Sequence, residues 1–409
     1  METRQAAVLE ISGSKVVCLA ASVTGGKFQV DGFTAVPCRG LTKGAIRDEE
    51  EVGQAALQAL QKVEKELGEH IMGFAVNISG PHLQCSTSQG YLPIVPQGRV
   101  LRAEDVLTVL KHSRQVLVGS DREQVSAVPR EFRVDGQRGI ADPVGLAATK
   151  LEVMTTMVTG AKKVIDGHAH LAARIGRRLD QIIVQPFASA FGCAPMEALD
   201  LGCAVIDVGF LSTDVAVYLD HKPVHCACLP IGAHHITSDI AYLLKTELGE
   251  AERVKVEHGV ATPAGVSDND VIDILQKEMS SPRPLKRRAM AEIIEARVRE
   301  IATFAGKEIE KSGVSGKLAG GIFLTGGCAH LEGVELVFEK ALSGRRVKPS
   351  APKTTGPNSR RLMDPIFSTS VGMARMVLEL DQQEFEPVSG TKGWQEGFKA
   401  IQSIFGRRP

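Results

Sequence analysis

The sequence has no excess charge of either sign: 48 Lys and Arg stand against 48 Asp and Glu. That argues against a general nucleic-acid binder, which needs a concentrated basic field. It also has no Cys-x-x-Cys pair. Cys18, Cys38, Cys85, Cys193, Cys203, Cys226, Cys228 and Cys328 are scattered, most of them in apolar surroundings, which reads as small buried hydrophobes in a reducing compartment rather than a zinc or disulfide framework. The one metal-like grouping, Cys226-Ala-Cys228 near His234-His235, alternates as a strand does, so both cysteines share a core-facing side. No apolar run approaches the roughly 18–20 residues that span a bilayer. The N-terminus lacks the basic start and apolar stretch of a secretory signal. The folded body is expected in the cytoplasm.

What is present is an ordinary globular composition, 43% hydrophobic and 23% charged, over 409 residues. That length exceeds one ordinary core and predicts two domains or a bilobed body. Ala6–Ala21 reads as a β-hairpin around Ser12-Gly13-Ser14-Lys15, with Phe28–Val36 as a third strand. Glu49–Leu67 has helical apolar spacing and Gly68 as its stop, and Ile71–Ser79 is a strand. Residues 81–160 differ in texture: a short strand pair, a helix opened by Ala103-Glu104-Asp105, and an expected loop over Pro129–Gly145. A second apolar hairpin follows at Leu201–Leu219, then helices over Ala233–Leu244 and Glu250–His258. A long charged helix is predicted over Leu285–Ser312, a strand over Gly321–Thr325, and helices over Gly333–Leu342 and Ser368–Leu380. The hairpin–helix pattern thus occurs twice, near residues 6–80 and 203–345. This predicts a duplicated pair of α/β lobes with a nucleotide in the cleft between them.

Three segments carry phosphate-binding chemistry. The first tip, Glu10-Ile-Ser-Gly13-Ser14-Lys15, offers a carboxylate, hydroxyls, flexible backbone and a cation. The second, Asp207-Val-Gly209-Phe-Leu-Ser212-Thr213-Asp214, flanks Ser-Thr with two carboxylates, Asp207 being the candidate metal ligand. The third, Leu324-Thr-Gly326-Gly327, ends a buried strand in glycines that allow backbone to approach a ribose or ring. Glu252 and Lys255, three apart on one helix face, are candidates for ribose and base edges, with a solvated ion pair as the simpler reading.

At the far end, residues 381–392 read as a polar linker. Beyond it Trp394, Phe398, Ile401 and Phe405 fall at helical spacing, with Ile404 beside them and Lys392, Lys399, Arg407 and Arg408 on the flanks. An apolar aromatic face ringed by cations suits an interfacial helix on anionic phospholipid.

The order of hairpin tip, Gln185-Pro186, hairpin tip, Glu-x-x-Lys helix and Thr-Gly-Gly turn resembles the actin-like ATPase superfamily. Within it the chain is similar to the FtsA family of bacterial cell-division proteins along nearly its whole length. The stretches that carry this are PREFRVDGQRGIADPVGL (129–146), QPFASAFG (185–192), PIGAHHITSDIA (230–241), EAERVKVEHG (250–259), AEIIEARVREI (291–301) and LTGGCAHLEGV (324–334). The resemblance implies an α/β, bilobed actin-like fold, duplicated in the ribonuclease H-like manner. One lobe core would comprise 1–80 with 161–190 and 361–380, the other 191–232 with 306–360. An FtsA-type subdomain would be inserted at 81–160, an outer subdomain would span 233–305, and an amphipathic helix would occupy 393–409. It further implies ATP with Mg²⁺ as cofactor and self-association into polymers. FtsZ filaments would be tethered through their acidic, apolar C-terminal tail, at the cytoplasmic face of the membrane and at the septum. Arg287, Arg288 and Arg297 are the candidates for that tail's carboxylates. A superfamily phosphotransferase and an actin-like scaffold of the type IV pilus machinery are the alternatives.

The chain departs from the family at its phosphate loops. The first normally reads Asp-Ile-Gly-Thr-Ser/Thr-Lys, and here Glu10 replaces Asp. The extra methylene shifts any metal–water geometry by about 1 Å, enough to cost a large factor in rate. The second normally reads Asp-x-Gly-Gly-Gly-Thr-Thr-Asp, and here Phe210 and Leu211 replace two glycines. These changes predict weak or structural nucleotide binding, with slow or absent hydrolysis.

Overall fold

The computed structural model describes residues 3–277, 279 and 281–380. Two five-stranded sheets share one plan. In the first, Thr3–Ile11, Lys15–Thr24 and Lys27–Pro37 form an antiparallel meander. Gly73–Ile78 then pairs parallel with the first strand, and Arg178–Val184 parallel with Gly73–Ile78. The second repeats that order: Cys203–Val208, Thr213–Leu219 and Lys222–Leu229 antiparallel, followed by Gly321–Thr325 and Val347–Pro349 in parallel. The expected duplication is thus a duplication of topology. The first hairpin tips of the two sheets meet, with Leu211 of the second against Gly13 of the first.

Helix placement follows the apolar periodicity. Glu49–Leu67 is opened by Asp48, whose side chain accepts from the Glu50 and Glu51 amides at 3.1 and 2.9 Å, and closed by Gly68 at φ 74°. It buries Val52, Ala56, Leu60 and Val63 against the first sheet. The 25-residue helix Arg287–Lys311 buries Ile294, Val298, Ile301 and Ala305 against the second. Between the lobes, helices Gln185–Cys193 and Ser368–Glu379 cross so closely that a Cβ on Gly372 would lie 1.8 Å from the Ala188 carbonyl. One on Gly192 would lie 2.0 Å from that of Ser368. A single apolar cluster including Phe33, Phe187, Val205, Phe323 and Val371 runs from one sheet to the other through this crossing.

The inserted subdomain is more regular than its sequence suggests. Gln84–Pro93, Lys150–Ala161, Arg122–Val134 and Gln137–Ile140 form an antiparallel sheet, with helix Ala103–Arg114 packed on it over Val106, Val109, Phe132 and Leu151. The expected loop over Pro129–Gly145 is therefore corrected: its first part completes a 13-residue strand, which turns at Asp135-Gly136 into Gln137–Ile140. Pro129 is tolerated because it faces Thr155 at a register slip, where no ladder N–H is required. The segment around Asp268–Pro284 likewise holds a short ribbon, Val271–Ile274 with Arg283–Lys286.

All the cysteines but Cys85 are buried, and no metal-holding group of His, Cys, Asp and Glu occurs among the described residues. No described helix is long and apolar enough to cross a membrane. The expected linker 381–392 and the membrane candidates Trp394, Phe398, Lys399, Ile401, Ile404, Phe405, Arg407 and Arg408 lie outside the described residues.

Candidate functional site: a cleft closed by its own side chains

The two hairpin tips meet across the cleft. At the second, Gly209 N–H donates to Ser212 O at 2.9 Å, closing a tight turn that carries Phe210 and Leu211 outward. Leu211 packs on Gly13 of the first tip. A Cβ at Gly13 would lie 2.5 Å from both Leu211 Cγ and Cδ1, so a larger residue there would have to displace the leucine side chain. Phe210 turns the other way, its ring 5.0 Å from that of His234. The Ala233 and His234 amides, at the start of helix Ala233–Leu243, donate to the Gly209 and Phe210 carbonyls at 2.9 and 2.8 Å. Donors that a helix N-terminus would present to an anion are thereby used within the chain.

The polar side chains named from the sequence are similarly engaged. Thr213 Oγ1 donates to Ile231 O at 2.8 Å. Lys15 Nζ donates to Ile366 O at 2.8 Å and sits over the Phe367 ring, 4.6 Å from its centroid. Ser14 is exposed, and its carbonyl accepts from the Cys38 amide. Asp207 Oδ2 accepts from Ser189 Oγ at 2.6 Å and Thr369 Oγ1 at 3.3 Å, while its Oδ1 lies where a Gly326 Cβ would be. Gly326 takes φ 82°, the conformation that favours glycine, and Gly327 follows beside Ile366. Glu10 accepts from Ser370. A chain of hydrogen bonds then crosses the cleft: Ile11 N–H to Asn77 Oδ1 (2.7 Å), Asn77 Nδ2 to Gln185 Oε1 (2.7 Å), Gln185 Nε2 to Asp214 Oδ2 (2.8 Å), and Ser79 Oγ to Asp214 Oδ1 (2.7 Å).

Three carboxyls are thus buried, with Lys15 the cation near Glu10 and Asp207. Burial pushes Glu10 and Asp207 above the usual carboxylate range, against the attraction of Lys15 and their hydroxyl donors. Burial, and then repulsion from Asp207, carry Asp214 up to about 7. An acid raised from about 3.9 when unfolded favours the fold below that pH. The contribution falls as pH rises and is gone above 7. Asp214→Asn should therefore flatten the stability profile, removing up to about 1.4 kcal/mol per pH unit between pH 5 and 7. Urea unfolding at pH 5, 6, 7 and 8 measures it. Equal slopes for the two chains would show that Asp214 titrates normally.

Glu252 and Lys255 form a pair of their own. Lys255 Nζ reaches Glu252 Oε2 at 2.7 Å and Thr237 Oγ1 at 2.9 Å. Burial alone would raise Glu252, but these donors hold it below its ordinary value. Lys255 is buried, and burial pushes the thiol of Cys328, beside Gly327, up to about 12 against the attraction of Lys255, so the pair borders the third turn. The three arginines are paired within the chain. Arg297 grips Asp239 with bonds of 2.6 and 2.8 Å. Arg287 meets Asp270 and the His258 carbonyl, and Arg288 meets Asp268 and the Val266 carbonyl.

This arrangement does not fit a magnesium-bound triphosphate, because the space between the tips holds Leu211 and the ligating groups already have partners. On the side bounded by Gly326, Gly327, Glu252 and Lys255 the ion pair is intact and a Cβ on Gly327 would meet only Ile366, at 3.9 Å, although the Gly326 amide is already bonded to the Pro365 carbonyl. Sequence reading missed Asn77, Ser79, Ser189, Thr369 and Ser370. Asn77 was detectable as the one polar residue in the apolar strand Gly73-Phe-Ala-Val-Asn-Ile78. Ser368-Thr-Ser370 was detectable as a hydroxyl cluster opening a helix that is otherwise buried.

Comparison with known proteins accounts for the whole architecture. The family model "Cell division protein FtsA" matches residues 204–372, and "SHS2 domain inserted in FTSA" matches 80–159. The FtsA of Neisseria meningitidis serogroup B is 30% identical over 398 residues, covering 97% of this chain and 95% of that protein. Those of Escherichia coli K12 and Bacillus subtilis 168 are 30% and 29% identical, each over 89% of this chain and over 88% and 81% of their own lengths. Among solved structures, the PilM-PilN type IV pilus biogenesis complex aligns with a TM-score of 0.63 at 17% identity, over 93% of this chain and 99% of that one. MreB5 of Spiroplasma citri bound to ADP aligns at 0.55 and 13%, over 91% and 96%. These distant structures establish the actin-like fold, and identity sustained over nearly the full length establishes the rest: the chain belongs to the FtsA family of cell-division proteins.

Proposed function

We propose that this chain is a peripheral membrane adaptor that polymerises and tethers FtsZ filaments to the cytoplasmic face of the membrane at the septum. The observation that carries the reading is a surface on the subdomain at 233–305. There Tyr242, Leu243, Leu248 and Leu275 are exposed, Tyr242 at 82%. Lys245 and Lys277 are exposed beside them, joined by the bond from Lys277 N–H to Lys245 O. An apolar patch of that kind with cations at its rim fits an acidic, apolar tail. Arg287 and Arg288, with partly exposed side chains, lie at the other end of the short ribbon from Leu275 and are further candidates for the tail's carboxylates. Arg297 is the weaker candidate, since its bidentate partner Asp239 would have to be displaced.

Membrane attachment is assigned to residues 393–409, whose sequence is expected to form an amphipathic helix on the lipid, and self-association to the inserted subdomain and the lobe faces. For nucleotide, relatives in fold from Spiroplasma citri are bound to ADP and AMPPNP, which supports weak binding in the same cleft through the Gly326-Gly327 and Glu252–Lys255 side. Hydrolysis is slow or absent, because Glu10, Asp207 and Lys15 are turned to Ser370, Ser189 and Ile366. The test is FtsZ co-sedimentation with anionic vesicles. Filaments are expected to sediment only when this protein is present, with or without ATP. Tyr242→Glu should weaken recruitment about tenfold or more, as loss of an aromatic anchor does. Recruitment unaffected by that substitution would remove the assigned surface.

A further inference from the structure

One cluster outside the cleft is built for thiol chemistry. Cys85, at the start of strand Gln84–Pro93 in the inserted subdomain, meets Cys226 and His225 on strand Lys222–Leu229 of the second lobe. Cys85 lies within interaction range of the Cys226 thiol and amide and of the His225 ring. His225 Nε2 in turn lies 3.3 Å from Glu308 Oε2 on the long helix, with the side chains 15% and 13% exposed. Cys226 is part of the apolar cluster at the lobe centre, and Cys85 packs against that cluster while remaining half-buried. The seam therefore holds two interacting thiols, one on a partly exposed residue and one on a buried residue. Neither is used by the cleft or by the tethering surface.

We propose that Cys85 and Cys226 are a peroxide-oxidisable pair, Cys85 the attacking thiolate and Cys226 the resolving thiol, whose disulfide ties the inserted subdomain to the second lobe. The cysteine–histidine–glutamate order is the arrangement that activates a sulfur nucleophile: the imidazole stabilises the thiolate and the carboxylate orients the imidazole. Three donors hold the Cys85 thiol at about 5, the Cys226 contact contributing most and burial opposing it. Contact with Cys85 and Glu308 raises His225 although burial works against it. In the first step Cys85 sulfur attacks one oxygen of hydrogen peroxide, the O–O bond breaks, and a sulfenic acid and water form. In the second, Cys226 sulfur attacks Cys85 sulfur, the S–O bond breaks, and the oxygen leaves as a second water. The two thiols lose two electrons, peroxide gains them, and both thiol protons end in water. The two thiols interact across packed strands, and a disulfide asks for closer approach of the sulfurs with a suitable dihedral.

The experiment treats the reduced full-length protein with hydrogen peroxide at pH 7, blocks remaining thiols, and maps non-reduced peptides by mass spectrometry. A cross-linked peptide joining Cys85 to Cys226, reversed by dithiothreitol and present in monomer, is expected. Cys226→Ser should leave Cys85 as a sulfenic acid that dimedone traps. Cys85→Ser should leave Cys226 reduced. His225→Asn, checked for native circular dichroism, should move the midpoint of the pH profile of Cys85 oxidation, followed from about pH 4 to 9, upward by about half a unit or more, because the imidazole is one of the groups that stabilise the thiolate. Oxidation that spares Cys85 in the folded wild-type chain, or that joins Cys85 only between molecules, would overturn the pair. So would a midpoint unmoved by the His225 substitution.

Discussion

Replacing Phe210 and Leu211 together by glycine should raise the affinity for Mg·ATP severalfold without producing brisk hydrolysis. The argument starts from the contact of Leu211 with Gly13. Any phosphate placed between the tips must first expel that side chain, and re-exposing a partly buried leucine costs on the order of 1–2 kcal/mol. Each 1.4 kcal/mol is about a factor of ten in binding. Glycine at both positions also lets the turn backbone approach an anion. Against this stand the lost Phe210–His234 packing and the greater freedom of the glycine turn, roughly 0.5–1 kcal/mol each way. Hydrolysis should stay slow, because Glu10 and Asp207 remain bound to Ser370 and Ser189. Isothermal calorimetry with ATP and Mg²⁺, alongside a phosphate-release assay, measures both. Unchanged affinity would show that Leu211 is not the barrier. Micromolar binding with rapid phosphate release by the natural chain would refute the degenerate-site reading altogether.

The second large effect is expected from removing residues 393–409: sedimentation with anionic liposomes should be lost. Burying Trp394, Phe398, Ile401, Ile404 and Phe405 gains on the order of 8–12 kcal/mol gross. Folding so short a helix and immobilising the chain offset much of that. One tail then binds reversibly, and several on one polymer bind firmly. The truncated chain should fail even at high density of anionic lipid, while Lys399→Glu with Arg407→Glu should weaken binding in a salt-dependent way. Liposome binding unchanged by the truncation would favour a scaffold of another kind.

Much of the fold was legible because local signals agreed with the tertiary result. The helix Glu49–Leu67 combined apolar periodicity, an Asp48 cap and a Gly68 stop, and strand Gly321–Thr325 ended in its glycines. The inserted sheet was less so. Pro129, Gly136, Gly139 and Pro143 are turn residues by their own preferences, and long-range pairing with Lys150–Ala161 overrode them at Pro129. At the site, the tips were readable as types of residue but their partners were not. Nothing local says that Leu211 will rest on Gly13, or that Asn77 and Gln185 will link Ile11 to Asp214. Such contacts are set by how the lobes meet. The same holds for Arg297, whose charge looked available until Asp239 was placed beside it.

The Asn77–Gln185–Asp214–Ser79 chain has a consequence for assembly. In an actin-type polymer whose lobes are held apart or together by a bound phosphate, hydrolysis acts as a clock that ages each subunit. Here the lobes are fastened by side chains of the chain itself. A filament built from such subunits would have no old and new ends in the chemical sense. Its pitch and curvature would be written in the sequence, and its turnover would depend on membrane and partner rather than on spent fuel.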